Sequence, residues 1–311
     1  MTSFLTNWLA NAPALAVPYA LAALGLIISE RSGVLNLTAE GLMLVGALSG
    51  VATCLVLGDY PGLALVVAMV SASIVSLLFV ALVVVLRVNQ AIAGLCMVFF
   101  CQGLTGLVGT MARWQNKQIP GLGQLTIWPF SEIPVIGKIF FMQDAVVYLT
   151  ILIFFLVNWW LFSTMMGLRI RSVGESPAAA DAGGISVSLH RMLAIVIGSS
   201  LVGLAGGYIS VVNVKLWITG MTAGRGWIAV ALVVFARWAP WPALGGALLF
   251  GCIETIIPHI AAAGIRVPQY LVMMTPYVAT IAVMIWVGAT QSLGTSEPGA
   301  LGQPHVREER R

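Results

Sequence analysis

The sequence GLRIRSVGESPAAADAGGISVS, residues Gly167–Ser188, lies between two apolar runs at 145–165 and 192–212. It is a polar interruption of 22 residues that begins with Arg169 and Arg171. Each flanking run has about 20 residues, the length that an α-helix needs to cross the hydrocarbon core of a bilayer. The pattern predicts two membrane-spanning helices joined by an extended polar segment.

The composition of the whole chain extends this prediction. Hydrophobic residues make up 59% of the sequence and charged residues 8%, whereas soluble domains carry roughly 25% charged residues. So few charges cannot cover the surface of a soluble protein of 311 residues. The apolar runs do not alternate with polar residues as the strands of a membrane barrel do. We therefore expect an all-α polytopic membrane protein.

The apolar runs predict about nine membrane-spanning helices, with a range of 8–10. They form a single transmembrane domain over residues 1–288, and we expect residues 289–311 to be a short, disordered cytoplasmic tail. Two of the runs, 42–57 and 242–257, are short, so those helices are expected to be tilted, broken or partly re-entrant. The runs lie at 12–29, 42–57, 62–86, 91–112, 145–165, 192–212, 227–239, 242–257 and 269–288.

Basic residues indicate an orientation. Placing the carboxyl terminus and the loop 167–190 in the cytoplasm gives nine basic residues inside and six outside, a modest positive-inside bias. The net charge of +4 is typical of a membrane protein with basic cytoplasmic loops and does not indicate nucleic-acid binding.

Charged residues interrupt the apolar pattern in the segment ERSGVLNLTAEG, Glu30–Gly41. Charges inside a bilayer are costly, and irregular backbone is tolerated there only where protein or a water-filled cavity satisfies it. One interpretation is a broken helix that lines or gates a translocation path, with Glu30, Asn36 and Glu40 as candidates. The alternative is an ordinary cytoplasmic turn with a surface ion pair between Glu30 and Arg31.

A second interruption is GMTAGRGW, Gly220–Trp227. Its glycines favour a break before the next helix or close helix packing through the small-xxx-small spacing of Gly220 and Gly224. Its arginine needs a partner within the membrane, and Glu254 and Glu40 are the candidates. Further candidates for the path or gate are Met221, Thr222, Arg225 and Trp227.

The polar interruption after Gly167 is expected to form a short helix and turn to which a soluble partner binds. Its small residues include Ala180, Gly183 and Gly184, with Asp181 beside them. The chain has no G-x-x-x-x-G-K-[ST] phosphate-binding loop, so ATP would have to bind to another chain. We expect no catalytic residue, no metal ion and no cofactor on this chain.

Three stretches together resemble the permease subunits of bacterial ABC importers of the simple-sugar and nucleoside type, relatives of the branched-chain amino acid and ribose permeases. The likeness extends over roughly residues 12–288. The three stretches are ERSGVLNLTAEGLMLVGA (Glu30–Ala47), GLRIRSVGESPAAADAGGI (Gly167–Ile185) and GMTAGRGWIAVALVVFARWAPWPALGGALLFG (Gly220–Gly251).

This resemblance implies a permease subunit that moves a nucleoside or simple sugar by alternating access across the bacterial inner membrane. It implies a cytoplasmic ATPase that carries ATP-Mg, a related second permease in a heterodimer, and an extracytoplasmic solute-binding lipoprotein. Membrane lipid and a small solute are the remaining partners. The residues that the likeness places at or near the ATPase contact are Gly174, Glu175, Ser176, Pro177, Ala180, Asp181, Gly183 and Gly184.

A self-sufficient secondary transporter or channel is the alternative function. It would need its own coupling site near the middle of the membrane, for which Glu40 and Glu254 are available. A carrier driven by protons or sodium does not need the polar segment after Gly167, and this feature separates the two hypotheses.

Overall fold

The computed structural model describes residues 2–123, 125–126, 128, 136–262 and 297–304, together with the single positions 274, 278, 281, 282 and 285. Within these residues the chain forms helices and no β-sheet, which confirms the all-α class. Helices α3 and α9 continue as π-helical turns over Ala81–Val85 and Ile209–Asn213. The helices are α1 (Thr2–Glu30), α2 (Ala39–Leu57), α3 (Pro61–Val80), α4 (Gln90–Met111), α5 (Ile136–Phe140), α6 (Ala145–Ser163), α7 (Met165–Glu175), α8 (Pro177–Ala182), α9 (Val187–Tyr208), α10 (Arg225–Phe235) and α11 (Pro240–Ala262).

Six of the helices in the described part of the chain are long and apolar enough to cross a membrane: α1, α2, α3, α4, α6 and α9. The predicted runs 227–239 and 242–257 correspond to α10 and α11, while 269–288 lies largely outside the described residues. The number nine therefore stays a prediction.

The breaks do not lie in the two short runs for which the sequence suggested them. Helices α2 and α11 are continuous over 19 and 23 residues. The short helix is α10, whose 11 residues reach only about half-way across a bilayer. It ends where Arg237 and Trp238 adopt left-handed backbone conformations (φ 54° and 55°), just before Pro240 begins α11.

Small residues bring the central helices α1, α2 and α9 into close contact. Gly25 of α1 and Gly198 of α9 lie so close that a side chain at either would overlap the other's backbone, and a side chain at Gly46 of α2 would overlap the backbone of Gly203 of α9. Close packing through small residues, which the sequence analysis predicted as one alternative for Gly220 and Gly224, is thus found at Gly46 and Gly203. The same prediction is wrong for Gly220, which has no neighbour within 4 Å and adopts a left-handed turn conformation (φ 71°).

The outer helices expose apolar side chains, as expected where a protein contacts lipid or another membrane subunit. Examples are Ile74 on α3, Phe99 and Leu107 on α4, and Phe155 on α6. Helices α1 and α9, in contrast, are buried along most of their length.

Residues 297–304, within the predicted cytoplasmic tail, bond to the body of the protein. The backbone N–H of Ala300 donates to the Gly174 carbonyl oxygen (2.9 Å), and the N–H of Gly302 donates to that of Gly33 (3.3 Å). Ala300 is 5% exposed. These bonds join the segment to α7 and to the turn after α1. The rest of 289–311 lies outside the described residues, and the disordered tail stays a prediction.

Candidate functional site

The segment between α1 and α2, residues 31–38, is non-helical and largely buried. The Asn36 side chain, which is fully buried, donates to Ser29 Oγ (3.2 Å) and accepts from the Thr38 N–H (3.1 Å) and hydroxyl (2.6 Å). Asn36 therefore satisfies irregular backbone just before α2 begins. Its role here is structural support of the break, and its side chain has no exposed surface toward a path.

Gln90, at the start of α4, supports the same segment from the other side. Its side-chain oxygen accepts from the Leu35 N–H at 2.7 Å, and Gln90 is 2% exposed. This role of Gln90 was not predictable from the sequence, because a polar residue at the first position of a helix ordinarily lies at a solvated helix end.

Glu40, in the first turn of α2, binds the amino-terminal end of α10. One carboxylate oxygen accepts from the Thr222 hydroxyl (2.6 Å) and the Gly224 N–H (2.8 Å), and the other accepts from the Gly226 N–H (2.8 Å). Gly224 itself is left-handed (φ 85°) and offers no side chain to cap the helix. The carboxylate therefore supplies, from a distant part of the chain, the acceptor and the negative charge that a helix start favours.

This contact lies beside α4, a helix that is long and apolar enough to cross a membrane, and well away from its ends. Gly41, the next residue, packs against Val98 of α4, eight residues after Gln90 at the start of that spanning helix. At 1.5 Å per residue, Glu40 is about 12 Å along a helix about 33 Å long. The start of α10 thus lies beside the middle part of a helix that is long enough to span a membrane, and the broken-helix interpretation of residues 30–41 and 220–227 stays a prediction.

Arg225, the first residue of α10, is paired within the membrane. It forms an ion pair with Glu254 of α11, and its other nitrogen donates to the carbonyl oxygens of Met221 and Thr222 (both 3.3 Å). The Tyr19 hydroxyl donates to the second Glu254 oxygen at 2.9 Å. Of the two partners that the sequence proposed for Arg225, Glu254 is correct and Glu40 is wrong, because the Glu40 oxygens bind the helix terminus.

The remaining three candidates from this stretch differ in exposure. Met221 is 9% exposed, and Thr222 is fully buried against Glu40. Trp227 is 36% exposed on the first turn of α10. Of these three side chains, that of Trp227 is therefore the one available to another molecule.

The carboxyl-terminal end of α10 is held by the end of α1. The Trp238 indole N–H donates to Glu30 Oε2 (2.5 Å), and Arg31 Nε donates to the Trp238 carbonyl oxygen (3.0 Å). Glu30 is 2% exposed. The surface ion pair between Glu30 and Arg31 is thus absent from the structure, because these side chains bind different groups of Trp238.

Arg31 also connects this region to the helix α7. Its guanidinium lies over the Phe162 ring (5.7 Å to the centroid), as does that of Arg171 in α7 (5.1 Å). Burial lowers the pKa of Arg31, and the carboxylate of Glu175 acts in the opposite direction and favours the charged form. Arg31 therefore contacts both α10 and the polar interruption.

The polar interruption forms two short helices, α7 and α8, where the sequence predicted one short helix and a turn. Ser176 separates α7 from α8; its hydroxyl accepts from the Ala179 N–H (3.4 Å), and Pro177 follows at the first helical position. Gly184 (φ 79°) turns the chain toward α9 after Gly183 ends α8. Sequence patterns of capping and turn residues are sufficient to give this local structure.

One side of the α7–α8 unit is buried and the other is exposed. Ala180 is 5% exposed and packs with Val173 and Val187. A side chain at Gly174 would overlap the Arg31 carbonyl oxygen, so α7 touches the end of α1 at backbone distance. Asp181 is half-buried, while Glu175, Ser176 and the glycines 183 and 184 are exposed. The exposed side of the α7–α8 unit therefore forms a small surface next to the end of α1.

Comparison with known proteins agrees with this architecture. The model of the family described as branched-chain amino acid transport system / permease component matches residues 8–286. The chain is 38% identical to the putative glucose ABC transporter permease protein TsgC13 of Haloferax volcanii, covering 93% of this chain and 94% of that protein. It is 37% identical to the guanosine ABC transporter permease protein NupQ of Bacillus subtilis, covering 95% of each. It is 32% identical to the nucleoside ABC transporter permease protein NupC of Lactococcus lactis, covering 88% and 90%.

Proposed function

The chain belongs to the family of branched-chain amino acid transport system permease components, and from this premise we propose that it forms part of the translocation path for a nucleoside or a simple sugar. It is a multi-pass membrane protein and the permease subunit of an ABC importer. Its relatives are named for guanosine, nucleoside and glucose transport. A nucleoside is our first choice of solute and a simple sugar the second.

A permease of this family works with an ATPase and a solute-binding protein in general. We propose further that the ATPase binds ATP-Mg and contacts this chain in the cytoplasm at the α7–α8 unit. A related permease chain completes the path, and a lipoprotein delivers the solute from outside. In this arrangement the α7–α8 unit and the carboxyl terminus are cytoplasmic.

The observation that supports this mechanism is that α10 is held at both ends by residues 30–40. Glu40 binds its amino-terminal end, and Glu30 and Arg31 bind Trp238 just after its carboxyl-terminal end. Residues 31–33 in turn touch Gly174 of α7. A displacement of the α7–α8 unit is thus transmitted through the end of α1 to an intramembrane half-helix.

Alternating access then follows from the two states of the ATPase. ATP changes the equilibrium because the closed ATPase binds one state of the permease better than the other. Movement of α10 relative to Glu40 and to the Arg225–Glu254 pair changes the polar surface within the membrane. The exposed Trp227 beside this surface is suited to stack on a base or sugar ring.

Charge reversal in the α7–α8 unit tests the coupling. We expect the double variant Glu175→Lys, Asp181→Lys to insert and assemble in the membrane, but to lose the stimulation of ATP hydrolysis by solute. The complex, co-expressed with its genomic neighbours and reconstituted in proteoliposomes, gives both ATP hydrolysis and uptake. Asp59→Lys is the matched control, because Asp59 is an exposed acid at the other end of α2.

Normal solute-stimulated ATP hydrolysis in the double variant would contradict the proposed coupling surface. The proposal that transport by this chain depends on a partner ATPase has its own test, in which this chain is purified alone and placed in liposomes. Solute uptake by the chain alone, without ATP, would favour the secondary transporter instead.

A further inference from the structure

Arg191, in the first turns of α9, is a buried cation that has no carboxylate partner among the described residues. The residue is 3% exposed, and one guanidinium nitrogen donates to the Gln303 carbonyl oxygen at 3.1 Å. Its Nε and its other terminal nitrogen have no hydrogen-bond partner. Within the described part of the chain, the salt bridge found is the one between Arg225 and Glu254. Because a buried charge is strongly destabilising unless it is paired, a bound anion would stabilise this guanidinium.

Two adjoining cavities lie beside the amino-terminal end of α9. The larger has a volume of about 290 Å³ and is lined by Arg87 and by residues 181 and 184–188. The smaller, of about 10 Å³, has room for a single water molecule and is lined by Arg191 and residues 83–84. Arg87, Val187 and Ser188 line both, so the two cavities share part of their walls, and Arg191 lines the smaller one.

The helix terminus adds to the positive potential at this point. Ser186 occupies the cap position of α9 but makes no capping hydrogen bond with its side chain, and the first turn contains no acidic residue. The first N–H groups of a helix lack partners within the helix and attract anions. Ser188 adds a hydroxyl group to the lining of both cavities.

We infer that Arg87, Arg191 and the amino-terminal end of α9 bind a phosphate group, supplied by an anionic lipid headgroup or by free phosphate. The carboxylate of Asp181 lines the larger cavity but not the smaller one. The anion therefore lies where the cavities meet, at Arg87 and Ser188. This point is beside the end of α3 and the start of α9, where spanning helices leave the hydrocarbon and basic pockets meet lipid headgroups. The inference does not depend on the identity of the transported solute.

Thermal unfolding of the purified full-length chain in detergent tests this site and separates the two sources. One arm compares phosphatidylglycerol with phosphatidylcholine in mixed micelles, and the other compares inorganic phosphate with chloride at constant ionic strength. A ligand that binds only the folded state raises the unfolding temperature. Stabilisation by phosphatidylglycerol alone identifies a lipid site, and stabilisation by inorganic phosphate in addition or alone shows that the phosphate group itself is sufficient. No difference in either arm would overturn the inference.

Two variants assign the effect to these residues. Arg191→Gln is expected to weaken binding of the phosphate group about tenfold or more, since it removes a buried positive charge that pairs with the phosphate. Arg87→Gln changes an exposed side chain and is expected to fold normally while reducing the stabilisation several-fold. Arg169→Gln is the matched control, with the same loss of charge at an exposed residue of α7. If Arg87→Gln and Arg169→Gln respond to the ligand equally, the stabilisation reflects general charge and the site is refuted.

Discussion

Replacing Glu40 by Gln perturbs the contact between α2 and α10 with a minimal change in shape. The carboxylate accepts three hydrogen bonds, two of them from the backbone of residues 224 and 226 at the start of α10. A carboxamide has one oxygen, so whichever way it is oriented, its NH₂ group faces at least one of these N–H donors. The variant keeps the side-chain length and removes the negative charge.

The loss in free energy of unfolding caused by Glu40→Gln is estimated from these contacts. A buried N–H left without an acceptor costs about 1–3 kcal/mol, and a charge at a partly buried helix terminus contributes up to about 2 kcal/mol. Together they predict a loss of about 2–4 kcal/mol in the free energy of unfolding for Glu40→Gln. For a chain of 311 residues, this corresponds to a fall of roughly 3–6 °C in the unfolding temperature.

The assay is thermal unfolding of the purified chain in one detergent, with solute uptake by the reconstituted complex as a second measurement. Thr222→Val provides an internal scale, because it removes only the hydroxyl bond at 2.6 Å and is expected to cost about 1 kcal/mol. Glu40→Asp keeps the charge near the helix terminus and should fall between wild type and Glu40→Gln. We expect the maximal uptake rate to follow the same order.

Wild-type stability and wild-type uptake in Glu40→Gln would refute the reasoning. In that case the carboxylate does not hold α10, and the half-helix is positioned by apolar packing alone. A loss of uptake at unchanged stability would instead place Glu40 in direct contact with the solute.

Three further predictions follow from the packing of the helices. Arg225→Met and Glu254→Met should each lower the free energy of unfolding by about 3–5 kcal/mol. In a double-mutant cycle, the double variant should lose much less stability than the sum of the two single variants. Additive losses would show that the two side chains do not stabilise each other. Gly206→Ala should destabilise the chain by about 1–3 kcal/mol in thermal unfolding, because its methyl group would overlap the Met43 carbonyl oxygen. Gly103→Ala should be tolerated, since no atom lies within 4 Å of the added methyl group. Equal stabilities of the two variants would refute the close contact of α2 and α9. Trp238→Phe removes the donor to the buried Glu30 and should cost about 1–3 kcal/mol, while Trp241→Phe, at a residue that is 46% exposed, should have little effect in the same assay.

Local sequence patterns were sufficient for the membrane class, for eight of the helical runs and for the α7–α8 unit. The class follows from hydropathy because a bilayer forces each spanning segment to satisfy its own backbone groups within a helix. The two interruptions, Glu30–Gly41 and Gly220–Trp227, were identified from charges and glycines that an ordinary spanning helix does not carry. Which apolar run is the half-helix was not predictable, because the left-handed turn at Arg237 and Trp238 is set by contacts with Glu30 and Arg31.

The sequence by itself determined that this chain is a helical membrane protein with polar residues at two breaks, since composition and periodicity act locally. Only the tertiary structure decided how those residues pair. Glu40 lies 182 positions from Thr222, and Glu30 lies 208 positions from Trp238. Glu40 and Glu254 both carry a negative charge that can pair with Arg225. The packing of α1, α2 and α11 around α10 places Glu254 within reach of that arginine. Charge makes a partner necessary within the membrane, and helix packing determines which partner is within reach.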